Sequence, residues 1–174
     1  MNNDTRNVVD EFKGMSIEAI KNELDNNAHA LEIAIENLER DFNMGTIVRN
    51  ANAFGVRTVH VIGSKQWNKR GAMMTDKYLD IVYYATIDEF IQSAKQKVLI
   101  AIDNVEGSTP LSETILDKNA VLIFGSEGPG ISDELLKRCD KIVAIEQFGS
   151  TRSVNVGVAA GIAMYEWLRR HRLT

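Results

Sequence analysis

The sequence predicts an α/β domain built on a parallel sheet with helices on both faces. Short runs of apolar and β-branched residues recur along the chain, as expected of strands buried on both sides. Helix-like stretches lie between them, giving the alternation from which layered α/β folds are made. Glycine-rich or polar segments follow several of the runs. Ligands of open parallel sheets bind there, beyond the carboxyl ends of the strands.

The strand candidates are 31–36 (LEIAIE), 58–62 (TVHVI), 81–85 (IVYYA), 98–102 (VLIAI), 120–124 (AVLIF) and 142–145 (IVAI). Between the first two, Met44, Ile47, Val48, Ala51 and Phe54 keep helical spacing, and Gly55 stands where a C-terminal cap belongs. Asn43 suits the N-cap of that helix. Ser132 suits the cap of the segment DELLKRC, and 154–170 is the longest helical pattern. Residues 1–25 read as a helical or loosely attached extension, and 26–174 as one domain, consistent with a length of 174 residues. No repeat or Pro/Gly-rich linker divides the chain.

Composition narrows the function classes. Apolar residues make up 44 % of the chain and charged residues 25 %, enough for a core and a water-facing surface. No apolar run approaches the roughly 20 residues of a membrane-crossing helix, and residues 1–10 lack the order of a signal peptide. A cytoplasmic protein without membrane contact is expected. Cys139, the single cysteine, excludes a disulfide framework within the chain, and no metal cluster is suggested. The net charge of −4 weighs against a nucleic-acid partner. The charge is uneven, however. Asp4, Asp10, Glu11, Glu18, Glu23, Asp25, Glu32, Glu36 and Glu39 crowd the start, while Lys65, Lys69 and Arg70, and Arg169, Arg170, His171 and Arg172, form basic patches.

Three segments carry chemistry. The first, Asn43-Met-Gly-Thr-Ile-Val-Arg49, opens a helix after the first strand. Gly45 in its first turn weakens the helix by roughly 1 kcal/mol relative to alanine, which suggests a close approach by another backbone or a ligand. The second, Phe124-Gly-Ser-Glu-Gly-Pro-Gly-Ile-Ser132, follows an apolar strand. Its glycines free the backbone to lie against a ligand. Glu127 disfavours a phosphate, so the ligand expected is cationic or rich in hydrogen-bond donors. The order Gly-x-x-Gly-x-Gly is neither a dinucleotide fingerprint nor a P-loop. In the third, Ser153 and Asn155 open an apolar helix. Ser153 suits its cap, and Gly157 and Gly161, four apart, permit a close contact with another protein surface.

Together these segments resemble the three motifs of the SpoU (TrmH-type) branch of the SPOUT methyltransferases. Asn43, Gly45 and Arg49 match the first, Gly125, Glu127 and Gly130 the second, and Ser153, Asn155 and the Ala159-Ala160 helix the third. The resemblance covers roughly residues 30–170. It implies a C-terminal deep trefoil knot, a homodimer, and transfer of a methyl group from S-adenosylmethionine to a ribose 2′-hydroxyl of RNA, with no metal. The short catalytic domain favours transfer RNA over ribosomal RNA. It places the cofactor on Phe124, Gly125, Gly130, Ile145, Gln147 and Val154. The catalytic set it implies is Arg49, Asn43, Glu127, Ser153 and Asn155, with Arg49 and Asn43 reaching a cofactor held largely by the other subunit.

The chain departs from the family pattern at Ile145-Glu-Gln-Phe148, where Ile-Pro-Met-like residues are usual, and at Val154, where leucine is more frequent. No separate N-terminal RNA-binding domain is expected. RNA recognition then falls to the catalytic domain, the extension and residues 67–76, whose Trp67 offers a ring for base stacking. The alternatives are a SPOUT enzyme that methylates a base and a non-catalytic RNA-binding protein of the same fold. A nicotinamide oxidoreductase would need a glycine fingerprint after the first strand, which residues 31–45 do not supply.

Overall fold

The computed structural model describes residues 8–37 and 43–173. Residues 1–7 of the expected extension, with Asp4, and Glu39 of the acidic stretch lie outside the described residues. The expected layered fold is present, with seven strands among the described residues, all parallel to one another. They are β1 Glu32–Asn37, β2 Thr58–Gly63, β3 Asp80–Tyr84, β4 Val98–Ile102, β5 Thr109–Pro110, β6 Ala120–Phe124 and β7 Lys141–Ala144. The order across the sheet is β3-β2-β1-β6-β4-β7-β5. The helices are α1 Ile17–Asn26, α2 Asn43–Ala53, α3 Ile87–Ser93, α4 Asp133–Leu136 and α5 Val156–His171.

The period-2 geometry of a strand explains why the runs are apolar throughout. In β6, Ala120, Leu122 and Phe124 face one core and Val121 and Ile123 the other. The first core also takes Met44, Ile47, Val48 and Ala51 from α2 and Ala160, Ala163, Met164 and Trp167 from α5. The second takes Phe90 from α3 and Leu135 from α4. The sheet is thus covered on both sides.

Two elements went unread in the sequence. β5 is a two-residue edge strand on β7, where Pro110 can pair because edge strands tolerate a missing N–H. α3 opens with a capping box, in which Thr86 Oγ1 accepts from Glu89 N and the Glu89 carboxylate accepts from Thr86 N.

The helix α1 is docked on the sheet domain. Ile20 is buried, Arg57 Nε donates to Asp25 at 2.7 Å, and Lys21 Nζ pairs with Asp80 at 2.5 Å.

The connections step to opposite sides from the centre of the sheet. From β1 the chain steps outward to β2 and β3, while β6, β4 and β7 lie on the other side. Ile35 of β1 is in register with Phe124 of β6, so the two strands end side by side. That edge is the switch point at which open α/β sheets bind ligands.

Candidate active site

A cleft of about 210 Å³ opens beyond the carboxyl ends of β4, β6 and β7. Its walls include Asp103 after β4, Gly125, Glu127 and Gly130 after β6, and Ile145, Gln147, Ser153, Val154 and Asn155 after β7. Segments far apart in sequence meet here because their strands are neighbours.

The loop after β6 folds back on itself. Ser126 and Gly130 exchange backbone hydrogen bonds at 3.2 and 3.0 Å. A Cβ on Gly125 would come within 2.1 Å of the Gly130 carbonyl, so only glycine fits there. Gly130 has φ +71°, in the region that favours glycine.

Two carboxylates fix the loop from beneath. Asp103 Oδ2 accepts from Ile131 N at 2.9 Å, and the buried Glu36 at the end of β1 accepts from Ser132 N at 2.7 Å and Ser132 Oγ at 2.6 Å. Glu36 also receives Ser126 Oγ on its backbone carbonyl. Motif reading missed both carboxylates. Glu36 had read as part of an acidic stretch, and its role shows only once β1 is seen beside β6.

The three chemical segments converge at the rim of the cleft. Asn43 Nδ2 donates to Glu127 Oε2 at 2.5 Å. Asn155 Nδ2 donates to Asn43 Oδ1 at 2.8 Å and to Glu127 Oε1 at 3.2 Å. The result is a closed triangle of two amides and a carboxylate, assembled within one chain. Asn43 is thereby joined to two residues of its own chain's cleft wall, Glu127 and Asn155. Its side chain also joins these two partners across the fold, a role that helix initiation alone does not explain.

Other expected residues fall in varied places. The cap of α5 is Asn155, whose Oδ1 accepts from Gly157 N at 3.0 Å and Val158 N at 3.3 Å. Ser153 is exposed, lines the cleft and does not cap α5. Gly125, Gly130, Ile145, Gln147 and Val154 all line the cleft. Phe124 does not, because its ring is fully buried in the core as the last inward residue of β6. Arg49 is exposed on α2, about one and a half turns beyond Asn43, and is absent from the cleft wall.

Trp67 is buried, with Nε1 donating to Tyr83 Oη at 3.2 Å, and presents no ring for a base. Gly157 and Gly161 lie against Thr46 and Asn50 of α2, so their small size serves a contact inside the chain. Cys139 is no nucleophile, since burial pushes its thiol up to about 12. Among the described residues no cluster of His, Cys, Asp or Glu could hold a metal, and no helix is long and apolar enough to cross a membrane.

The cleft also suits a cationic ligand rich in hydrogen-bond donors. Two carboxylates, Asp103 and Glu127, stand in its wall. Gln147 brings a buried amide oxygen, Oε1, with no hydrogen-bond partner. A buried acceptor of this kind calls for a donor that the protein itself does not supply.

The family model of the SpoU rRNA methylases matches residues 30–165. The chain belongs to the SpoU rRNA methylase family. Among SpoU relatives, the 23S rRNA (guanosine-2′-O-)-methyltransferase RlmB of Coxiella burnetii is 31 % identical over 149 residues, covering 81 % of this chain and 59 % of the relative. An uncharacterized tRNA/rRNA methyltransferase of Mycolicibacterium gilvum is 30 % identical, covering 84 % of this chain and 49 % of its own length. The chain thus spans about half the length of the curated relatives it matches. The TrmH/SpoU tRNA modifying enzyme of A. aeolicus superposes with a TM-score of 0.79 at 25 % identity, over 90 % of this chain and 83 % of that one. An AdoMet-bound rRNA methyltransferase from Sinorhizobium meliloti, 24 % identical, shares the fold with a TM-score of 0.73 over 83 % of this chain and 59 % of that one.

Proposed function

We propose that this SpoU chain transfers a methyl group from S-adenosylmethionine to a ribose 2′-hydroxyl of RNA, with transfer RNA the favoured substrate and ribosomal RNA the other. The observation that carries this reading is the Asn43–Glu127–Asn155 triangle at the rim of a glycine-walled cleft. It joins the three segments in which the SpoU motifs lie. The guanosine-2′-O activity named for the Coxiella relative supports ribose as the target, and the tRNA activity named for the A. aeolicus enzyme supports transfer RNA.

The backbone of Gly125, Gly130, Ile145 and Val154 would hold the cofactor, and the Gln147 amide oxygen would accept one of its N–H or O–H donors. When bound, S-adenosylmethionine supplies a sulfonium methyl with an excellent leaving group. The tasks left to the protein are orientation and the handling of one proton. A guanidinium with a pKa above about 12 is a poor base. Arg49 therefore orients the 2′-hydroxyl and its phosphate and stabilises the developing alkoxide. Asn43, Glu127, Ser153 and Asn155 position the ribose. Arg49 lies outside the cleft of its own chain, which favours its delivery to the cleft of a second copy in a homodimer. The C-terminal segment that returns from β7 to α2 is proposed to be threaded as the trefoil knot.

The test is Arg49→Ala. An exposed side chain contributes little to folding, so the variant should keep its melting temperature and its affinity for S-adenosylhomocysteine. Transfer of labelled methyl to unmodified RNA should fall at least about 100-fold. Near-normal turnover would sink the assignment, and label recovered on a base would redirect it.

A further inference from the structure

We propose that residues 64–77, which lead from β2 to β3, form an RNA-gripping ledge beside the triangle. Met73 and Met74 are its apolar contact, and Lys65 and Arg70 its phosphate contacts. The inference rests on the reading of the chain as an RNA methyltransferase.

Charge comes first. The chain carries a net −4, yet this segment holds Lys65, Lys69, Arg70 and Lys77 against the single carboxylate of Asp76. Two of the cations are already engaged by neighbouring side chains. Lys69 pairs with Asp76 at 2.9 Å and stands 5.5 Å from the centre of the Trp67 ring, while Lys77 lies over Tyr78 at 5.0 Å. Lys65 and Arg70 are exposed beside them. A cationic ledge on an acidic protein selects a polyanion.

The segment is also held firmly. Asn37 Nδ2 donates to the carbonyls of Ser64 at 2.6 Å and Gln66 at 3.1 Å. The Asn68 side chain accepts from Arg70 N, Thr75 Oγ1 donates to the Ala72 carbonyl, and Trp67 is anchored on Tyr83. After residue 68 the segment forms a turn of 3₁₀ helix, Lys69–Ala72, and enters a second, Thr75–Tyr78, with Met73 and Met74 at their junction.

Those two residues are the anomaly. Met73 and Met74 both adopt left-handed backbone, with φ of 48° and 65°, and they are the only non-glycine residues to do so among those described. Their side chains are 45 % and 38 % exposed. Neither backbone preference nor core packing accounts for methionine here, since glycine or asparagine suits such a position better. Strain of this kind persists where function uses the side chain. Methionine offers a soft, polarizable surface that adapts to the face of a base.

Position completes the case. A Cβ on Gly45 would lie 2.8 Å from Ala72 N and 2.9 Å from Gly71 Cα. The ledge is therefore packed on the first turn of α2, two residues from Asn43. A ribose seated at the triangle would have its neighbouring nucleotides within reach of the ledge.

The experiment uses the full chain and a pool of unmodified transfer and ribosomal RNA transcripts, with affinity measured by filter binding across a salt series. A Met73→Gly, Met74→Gly double variant should melt at the same temperature or higher, because glycine relieves the left-handed strain. It should bind S-adenosylhomocysteine as the parent does, yet hold the RNA pool about tenfold more weakly. Lys65→Gln and Arg70→Gln should each reduce the slope of log affinity against log salt by about one. A glycine variant that grips RNA as well as the parent overturns the ledge alone. A lowered melting temperature overturns the strain argument on which it stands. A parent chain that binds S-adenosylhomocysteine but no RNA overturns the methyltransferase reading itself.

Discussion

At the scale of single residues, Asn155 does two jobs with two ends of one amide. Its oxygen caps α5 through Gly157 N and Val158 N, and its nitrogen holds Asn43 and Glu127. The jobs separate under substitution. Asn155→Asp keeps the capping oxygen and adds favourable charge at a helix N-terminus. It removes the donor and sets a second carboxylate 3.2 Å or so from Glu127. Like charges at that distance favour a protonated pair. The variant should stay within about 1 kcal/mol of parental stability by urea unfolding, while methyl transfer falls sharply at neutral pH and recovers in part as the pH is lowered. Asn155→Ala should lose the cap as well, about 1 kcal/mol. Equal activity of the Asp variant and the parent would mean that the amide donor is dispensable. Asn43, Glu127 and Asn155 were legible beforehand because their spacing forms motifs. Asp103, Glu36 and the solvent-facing methionines were not, since each depends on which strand or turn lies next to it, and that is decided by sheet order. Trp67 misled for the same reason: an aromatic in a polar stretch looks exposed until Tyr83 is seen beside it.

At the scale of elements, the strands were readable because burial on both faces leaves little room for polar residues. β5 is illegible because two residues have no period, and α3 because seven residues give barely two turns of apolar spacing. Gly45 weakens its helix by propensity, and the fold supplies the reason for it: the backbone of residues 68–72 presses on α2. An alanine there would meet Ala72 N at 2.8 Å, Gly71 Cα at 2.9 Å and Asn68 O at 3.0 Å, all of them backbone atoms that cannot rotate away. Gly45→Ala should therefore destabilise by about 1–3 kcal/mol despite alanine's better helix propensity. Gly149→Ala is the control, because a Cβ at Gly149 meets nothing within 4 Å. Thermal unfolding of the two variants side by side decides it. A Gly45→Ala protein as stable as the control would show that ledge and helix are less tightly joined than these distances state.

At the scale of the whole molecule, the first half of α5 is apolar almost all round, which in a helix signals burial on more than one side. One face, with Ala160, Ala163, Met164 and Trp167, is in the core. The other carries Val158, Ile162 and Tyr165, spaced four and three apart and 52, 40 and 52 % exposed. Beside this stripe lies a shallow hollow bordered by Leu111, Ile145 and Gly161. Two copies pairing stripe to stripe would form an isologous, two-fold contact. The same pairing would give Arg49 a route to a cleft that its own chain does not offer. Ile162→Glu places a charge in the middle of the stripe. Because the residue is exposed in the single chain, the fold should survive, with circular dichroism and S-adenosylhomocysteine affinity little changed. Sedimentation should show the parent as a dimer and the variant as a monomer, and the monomer should lose methyl transfer as fully as Arg49→Ala does. Mixing the monomeric variant with Arg49→Ala should not restore activity, whereas two dimer-competent variants, Arg49→Ala and Asn155→Ala, should complement to about a quarter of parental turnover if half the mixed dimers' sites are intact and chains mix at random. A fully active Ile162→Glu monomer would show that each chain works alone and that its own arginine swings into the cleft.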